Sequence, residues 1–83
     1  MKASMRAVVL AAMHRPAKEA GGKDFLDVFF RQDGEQGVIE AYAEPIALDG
    51  LIPTAGEAVV ADVTVWTSRS GRQMVRVDAF RAA

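Results

Sequence analysis

The sequence predicts an all-β fold, a small barrel of five strands built from antiparallel hairpins. Three observations predict it. Apolar residues alternate with polar ones instead of recurring at the roughly 3.6-residue period of a helix. Asp33-Gly34 and Ser70-Gly71 place turn chemistry between alternating runs. Five such runs fill the 83 residues with little left over for helix, and closing short strands on one another removes most open edges.

Taken in order, Met5 to Met13 is rich in Val and Ala and reads as the first strand, although its Ala and Leu also permit a short helix. His14 to Gly22 holds Pro16 and Gly21-Gly22 and reads as a loop. Lys23 to Arg31 is the second strand. Gln32 to Gly37 carries the Asp-Gly turn, so Val38 to Ala47 returns antiparallel, with Pro45 near its end. Leu48 to Gly56, which includes Asp49, Gly50 and Pro53, is a connection with room for one helical turn. Glu57 to Thr67 is the fourth strand, dense in β-branched residues and Trp66. Ser68 to Gly71 turns the chain again, and Arg72 to Arg81 closes the sheet. With no repeat, linker or low-complexity segment, residues 1–83 form a single OB-like domain; an SH3-like barrel would give nearly the same strand pattern.

A core of this size supports about 3–5 kcal/mol of net stability, which makes homodimerisation a natural supplement. The absence of cysteine excludes disulfides, a thiol nucleophile and thiolate metal sites, and suits the cytoplasm. Met1 to Met13 loosely mimics a signal peptide. Arg6 interrupts its apolar run, however, and His14-Arg15-Pro16 follows without a small-residue cleavage pattern, so a strand is the reading. No apolar stretch approaches the roughly 20 residues of a membrane span, so no membrane is expected as a partner. Net charge is −1 but uneven: no Lys or Arg lies between Asp33 and Ser68, and the basic residues gather at the two ends. Should the ends meet, the molecule would have a basic and an acidic side.

Strand phase carries the functional signal. In Lys23–Arg31 one phase is Asp24, Leu26, Val28 and Phe30, and the other is Lys23, Phe25, Asp27, Phe29 and Arg31. In the third strand Ile39, Ala41 and Ala43 oppose Val38, Glu40, Tyr42 and Glu44. In the fourth, Val59, Ala61, Val63 and Val65 oppose Asp62, Thr64 and Trp66. In the fifth, Gln73, Val75, Val77 and Ala79 oppose Arg72, Met74, Arg76, Asp78 and Phe80. Five of the six aromatic residues thus share the charged phase, Phe80 among them. Rings interleaved with cations on an outer sheet face suit single-stranded nucleic acid, because bases stack on rings and cations follow phosphates. Two basic loops flank that face: one holds Arg15, Lys18 and Lys23, the other Arg69 and Arg72. The expected nucleic-acid-binding set is therefore Arg15, Lys18, Lys23, Phe25, Phe29, Arg31, Tyr42, Arg69, Arg72 and Arg76. Glu40 and Glu44 flank Tyr42 and would repel phosphate. The same rings could instead form a second small core or meet a protein partner, and a bulge would shift any of these phases.

Gly22-Lys23-Asp24-Phe25, Pro53-Thr54-Ala55-Gly56-Glu57 and Ser70-Gly71-Arg72-Gln73-Met74-Val75-Arg76-Val77 together resemble the small single-stranded DNA-binding proteins of filamentous phages. The resemblance implies a homodimeric OB barrel that binds single-stranded DNA cooperatively in replication. It implies Lys23 and Phe25 in the binding face, Arg15 in the preceding loop and Arg72 or Arg76 near the cleft.

Other chemistry finds little support. One His and no Cys leave only carboxylates for a metal, and none are spaced as a calcium loop. No nucleophile-elbow pattern surrounds Ser4, Ser68 or Ser70, and no phosphate-cradling glycine loop precedes a Lys-Ser/Thr pair. A non-catalytic protein without cofactor is expected. The alternative is a protein-interaction module on the same barrel, whose acidic middle third could mimic nucleic acid.

Overall fold

The computed structural model describes residues 1–48 and 51–83; Asp49 and Gly50 of the expected connection lie outside the described residues. The strands are β1 (Lys2–Arg15), β2 (Phe25–Gln32), β3 (Val38–Ala43), β4 (Ala58–Thr67) and β5 (Gln73–Ala82). A 3-10 turn, Pro45–Leu48, follows β3. It occupies the end of the run expected to be strand, because Pro45 cannot donate to a ladder.

The strands close into a barrel in the order β1-β2-β3-β5-β4, with β4 pairing back onto β1. Neighbours are antiparallel except β3 and β5, which run parallel and meet at Tyr42 and Arg76. The barrel is therefore mixed, not purely a set of antiparallel hairpins. A chain that crosses over after β3 to place β4 between β1 and β5 has the Greek-key order of an OB barrel.

Two bulges shape it. In β1, Val9 pairs with Phe30 and Ala11 with Phe29, which leaves Leu10 as an extra residue, 42% exposed. The bulge lets one long strand serve two partners, β4 through Lys2–Val8 and β2 through Ala7–Arg15. In β5, Val77 pairs with Val63 and Ala79 with Asp62, so Asp78 is the extra residue. The inward phase resumes beyond it at Phe80, which is 8% exposed. Strict alternation had placed Phe80 outward with the charges; the bulge turns it into the core.

The interior is aliphatic and small, as a narrow barrel requires. Val9, Val28, Val63 and Val77 are fully buried around Phe30, and Ala41, Ala43 and Ala61 fill the tighter layers. Each large side chain removed from water contributes about 1.5–3 kcal/mol. Leu48, delivered by the 3-10 turn, joins this cluster. Gly71 closes the β4–β5 turn at φ 85°, a left-handed conformation that disfavours a Cβ. Among the described residues no helix is long and apolar enough to cross a membrane.

Candidate nucleic-acid interface

The outward phases of all five strands contribute to one strip of side chains. Arg15 of β1 stands opposite Phe25 of β2, and its guanidinium lies 5.1 Å from the ring centroid. Phe25 meets Tyr42 of β3 edge-to-face, with centroids 5.8 Å apart and planes at 79°. Tyr42 meets Trp66 of β4 in the same manner, at 6.1 Å and 85°. Arg76 of β5, opposite Tyr42 across the parallel rung, places its guanidinium 5.7 Å from the Trp66 ring. The sequence of groups is cation, three rings, cation. All three rings are half-buried, so their inner edges are packed while the rest meets solvent. Edge-to-face contact fixes their orientation, since the positive rim of one ring seeks the negative face of the next.

A cleft of about 290 Å³ opens beside the strip, lined by Arg15, Asp27, Glu40, Tyr42, Arg72 and Met74 among others. Its two ends are the β1–β2 and β4–β5 loops, the loops that flank the ligand face of OB barrels. The first loop is held in shape by Asp24, which accepts from the Ala17 backbone N–H at 2.8 Å and lies 3.2 Å from His14 Nε2. Both contacts, the backbone one foremost, hold the Asp24 carboxyl below its ordinary range. The second loop is closed by Ser68, whose backbone N–H donates to the Arg72 carbonyl at 2.7 Å.

Each cation on the strip already has a carboxylate. Arg15 Nη2 is 3.2 Å from Asp27 Oδ1, and Lys23 Nζ is 3.7 Å from Glu44 Oε1. Arg76 Nε donates to Asp78 Oδ1 at 3.0 Å, while Thr64 Oγ1 donates to Asp78 Oδ2 at 2.6 Å. Burial opposes the Asp78 charge, but the Thr64 and Arg76 hydrogen bonds outweigh it and keep its pKa below the usual value. The Asp78 hydrogen bond raises the Arg76 pKa further above its ordinary range. Lys18, Arg69 and Arg72 are exposed and have no ion-pair partner among the described residues.

The structure brings together Arg15, Phe25, Tyr42, Arg72 and Arg76 of the expected set, while Lys23 pairs with Glu44, whose charge also acts on Arg76. Phe29 and Arg31 share the outer face of β2 but lie further along it, opposite Glu40 and Val38. Lys18 and Arg69 sit on the two loops beyond the strip. Trp66 was missing from the expected set, though its place in the charged phase of β4 was the available signal. Glu40 is exposed on the cleft wall beside Tyr42, as the sequence suggested. The two end strands β1 and β5 flank β4 on either side without pairing with each other. No separate basic side results: acidic residues of the middle third stand beside the terminal cations, as in Arg81–Asp62 at 3.0 Å and Lys23–Glu44. Among the described residues no group of carboxylates and His could hold a metal ion.

Comparison with family models, with curated proteins and with solved structures finds no match, so the functional reading rests on this face and its chemistry.

Proposed function

We propose that the protein is a non-catalytic binder of single-stranded nucleic acid, single-stranded DNA foremost, and that the strip from Arg15 to Arg76 is its binding face. The observation that carries this reading is the unbroken run of Phe25, Tyr42 and Trp66 between two guanidinium groups. Bases stack on such rings without sequence preference, at about 1–3 kcal/mol per base. In this reading Arg72, Arg69 and Lys18 at the ends follow the phosphates. The likeness to the small phage single-strand binders supports the same reading and adds a homodimer to the proposal. Titration of fluorescein-labelled oligo(dT) at low salt, read by anisotropy, tests it. Saturable binding that weakens as salt rises is expected; no binding at low salt would overturn the reading.

One observation favours a second reading, a protein-interaction module. Ile46, Leu51 and Ile52 are 88%, 66% and 46% exposed around the 3-10 turn and the connection that follows it. An apolar surface of this kind suits a protein neighbour better than a phosphate backbone. In that case the oligo(dT) titration is flat, and substitution of Ile46 by Asp abolishes partner binding or self-association.

A further inference from the structure

The strip carries a feature that its role as a single-strand site does not require. Its cations are not waiting for phosphate. Arg15, Lys23 and Arg76 are each already paired, with Asp27, Glu44 and Asp78 respectively. These carboxylates lie on the site: Asp27 is opposite Tyr42 in the β2–β3 ladder, Glu44 follows β3 directly, and Asp78 is the bulged residue of β5. Asp78 is also fixed by Thr64, so it is held in position to engage Arg76.

Resting on the reading of this face as a single-strand site, we propose that Asp27, Glu44 and Asp78 are built-in competitors of the phosphate backbone. A strand that takes Arg15, Lys23 or Arg76 exchanges one anionic partner for another. The freed carboxylate then gathers a cation from solution, which cancels the counterion release that normally drives polyanion binding. Only Lys18, Arg69 and Arg72 release counterions in the ordinary way. Rings and bases therefore carry most of the affinity, and a polyanion without bases gains little from this face.

The consequence is quantitative. For single strands the logarithm of affinity falls with the logarithm of salt by about 0.7 per phosphate neutralised. Three effective cations give a slope of about −2 for the native protein. Freeing three more steepens it to about −4.

The test measures that slope for oligo(dT), and for an abasic deoxyribose-phosphate oligomer of equal length. It compares the native protein, Asp27→Asn/Glu44→Gln, and the triple variant that adds Asp78→Asn. The double control Glu35→Gln/Glu57→Gln, both exposed and away from the strip, changes net charge by two units, as the double variant does. Exposed ion pairs add little stability, so the double variant keeps its fold, verified by circular dichroism. Asn at position 78 still accepts from Thr64; should the triple variant unfold, the double variant alone decides. Steeper slopes and tighter low-salt binding of both oligomers by the strip variants, with the Glu35→Gln/Glu57→Gln control unchanged, are expected. Oligo(dT) binding by the native protein with unaltered slopes in the variants would overturn the competition and leave the single-strand reading standing. Binding by the variants alone would support the competition and overturn the reading of the native protein as a single-strand binder. Binding by none would overturn both.

Discussion

Tyr42 is the residue on which the strip depends, because it is the ring that touches both others. Replacing it by Ala removes two edge-to-face contacts, with Phe25 at 5.8 Å and with Trp66 at 6.1 Å. Each is worth about 0.5–1.5 kcal/mol beyond the area the ring buries, so the fold loses at least about 1–3 kcal/mol. Against a total of about 3–5 kcal/mol the variant stays folded in the cold, and its melting point drops visibly. Binding loses one stacking platform, about 1–3 kcal/mol per base. At about 1.4 kcal/mol per tenfold, that is roughly 5- to 150-fold in the dissociation constant for oligo(dT). Anisotropy titration below the melting transition separates the two effects, with circular dichroism reporting the folded fraction. Tyr42→Phe keeps the ring and is expected to bind close to native. A folded Tyr42→Ala variant that binds oligo(dT) as tightly as the native protein would refute the stacking face.

Trp66 is the only tryptophan, and its place in the strip predicts that oligo(dT) quenches its fluorescence; an unchanged spectrum at saturation would exclude it from the contact. Phe30→Ala empties the centre of the core at about 3–5 kcal/mol, as much as the whole domain holds, so thermal scans should show no cooperative transition. Gly71→Ala forces a Cβ into a left-handed turn at φ 85° and costs about 1–2 kcal/mol, read as a lower melting temperature with binding intact below it. Asp62 is held below its ordinary pKa, chiefly by Arg81 and then by Ser4. A depressed folded-state pKa stabilises above the unfolded value of about 3.9 and is lost as pH falls through the folded value. Melting temperature should therefore be level from neutral pH to about 5 and fall below about 4, less steeply in Asp62→Asn.

Much of the barrel was legible because four of its strands obey alternation over most of their length. Leu26, Val28 and Phe30 point inward and Phe25, Asp27 and Phe29 outward, and no competing signal disturbs β2. The turns at Gly34 and Gly71 were legible for the same local reason: the chain needs a left-handed residue there and has a glycine. Strand order was not legible, since the β3–β5 rung rests on one long-range residue pair, Tyr42 with Arg76. For the site, the phases of β2 and β3 pointed to Phe25 and Tyr42. Ion pairing was hidden, because Arg15–Asp27 and Lys23–Glu44 join residues 12 and 21 positions apart in the sequence.

The places where alternation fails are the places where the site is assembled. Were Leu10 paired regularly instead of bulged, the inward set of β1 would continue from Val9 through Ala11 and Met13 to Arg15, burying a guanidinium. With the bulge, Ala12 takes the inward position opposite Val28, and Arg15 turns out over Phe25. Were Asp78 paired regularly instead of bulged, the inward set of β5 would run Val75, Val77, Ala79 and Arg81, with Phe80 in solvent. With the bulge, Phe80 enters the core, Arg81 reaches Asp62, and Asp78 stands beside Arg76. A one-residue slip moves every later side chain to the other face, so each bulge is coupled to both core and surface. The β1 bulge supplies the first cation of the strip, and the β5 bulge supplies the carboxylate that restrains the last. Core packing and the binding face are thus set by the same two bulges: were Leu10 or Asp78 paired regularly, every later side chain of its strand would turn to the other face.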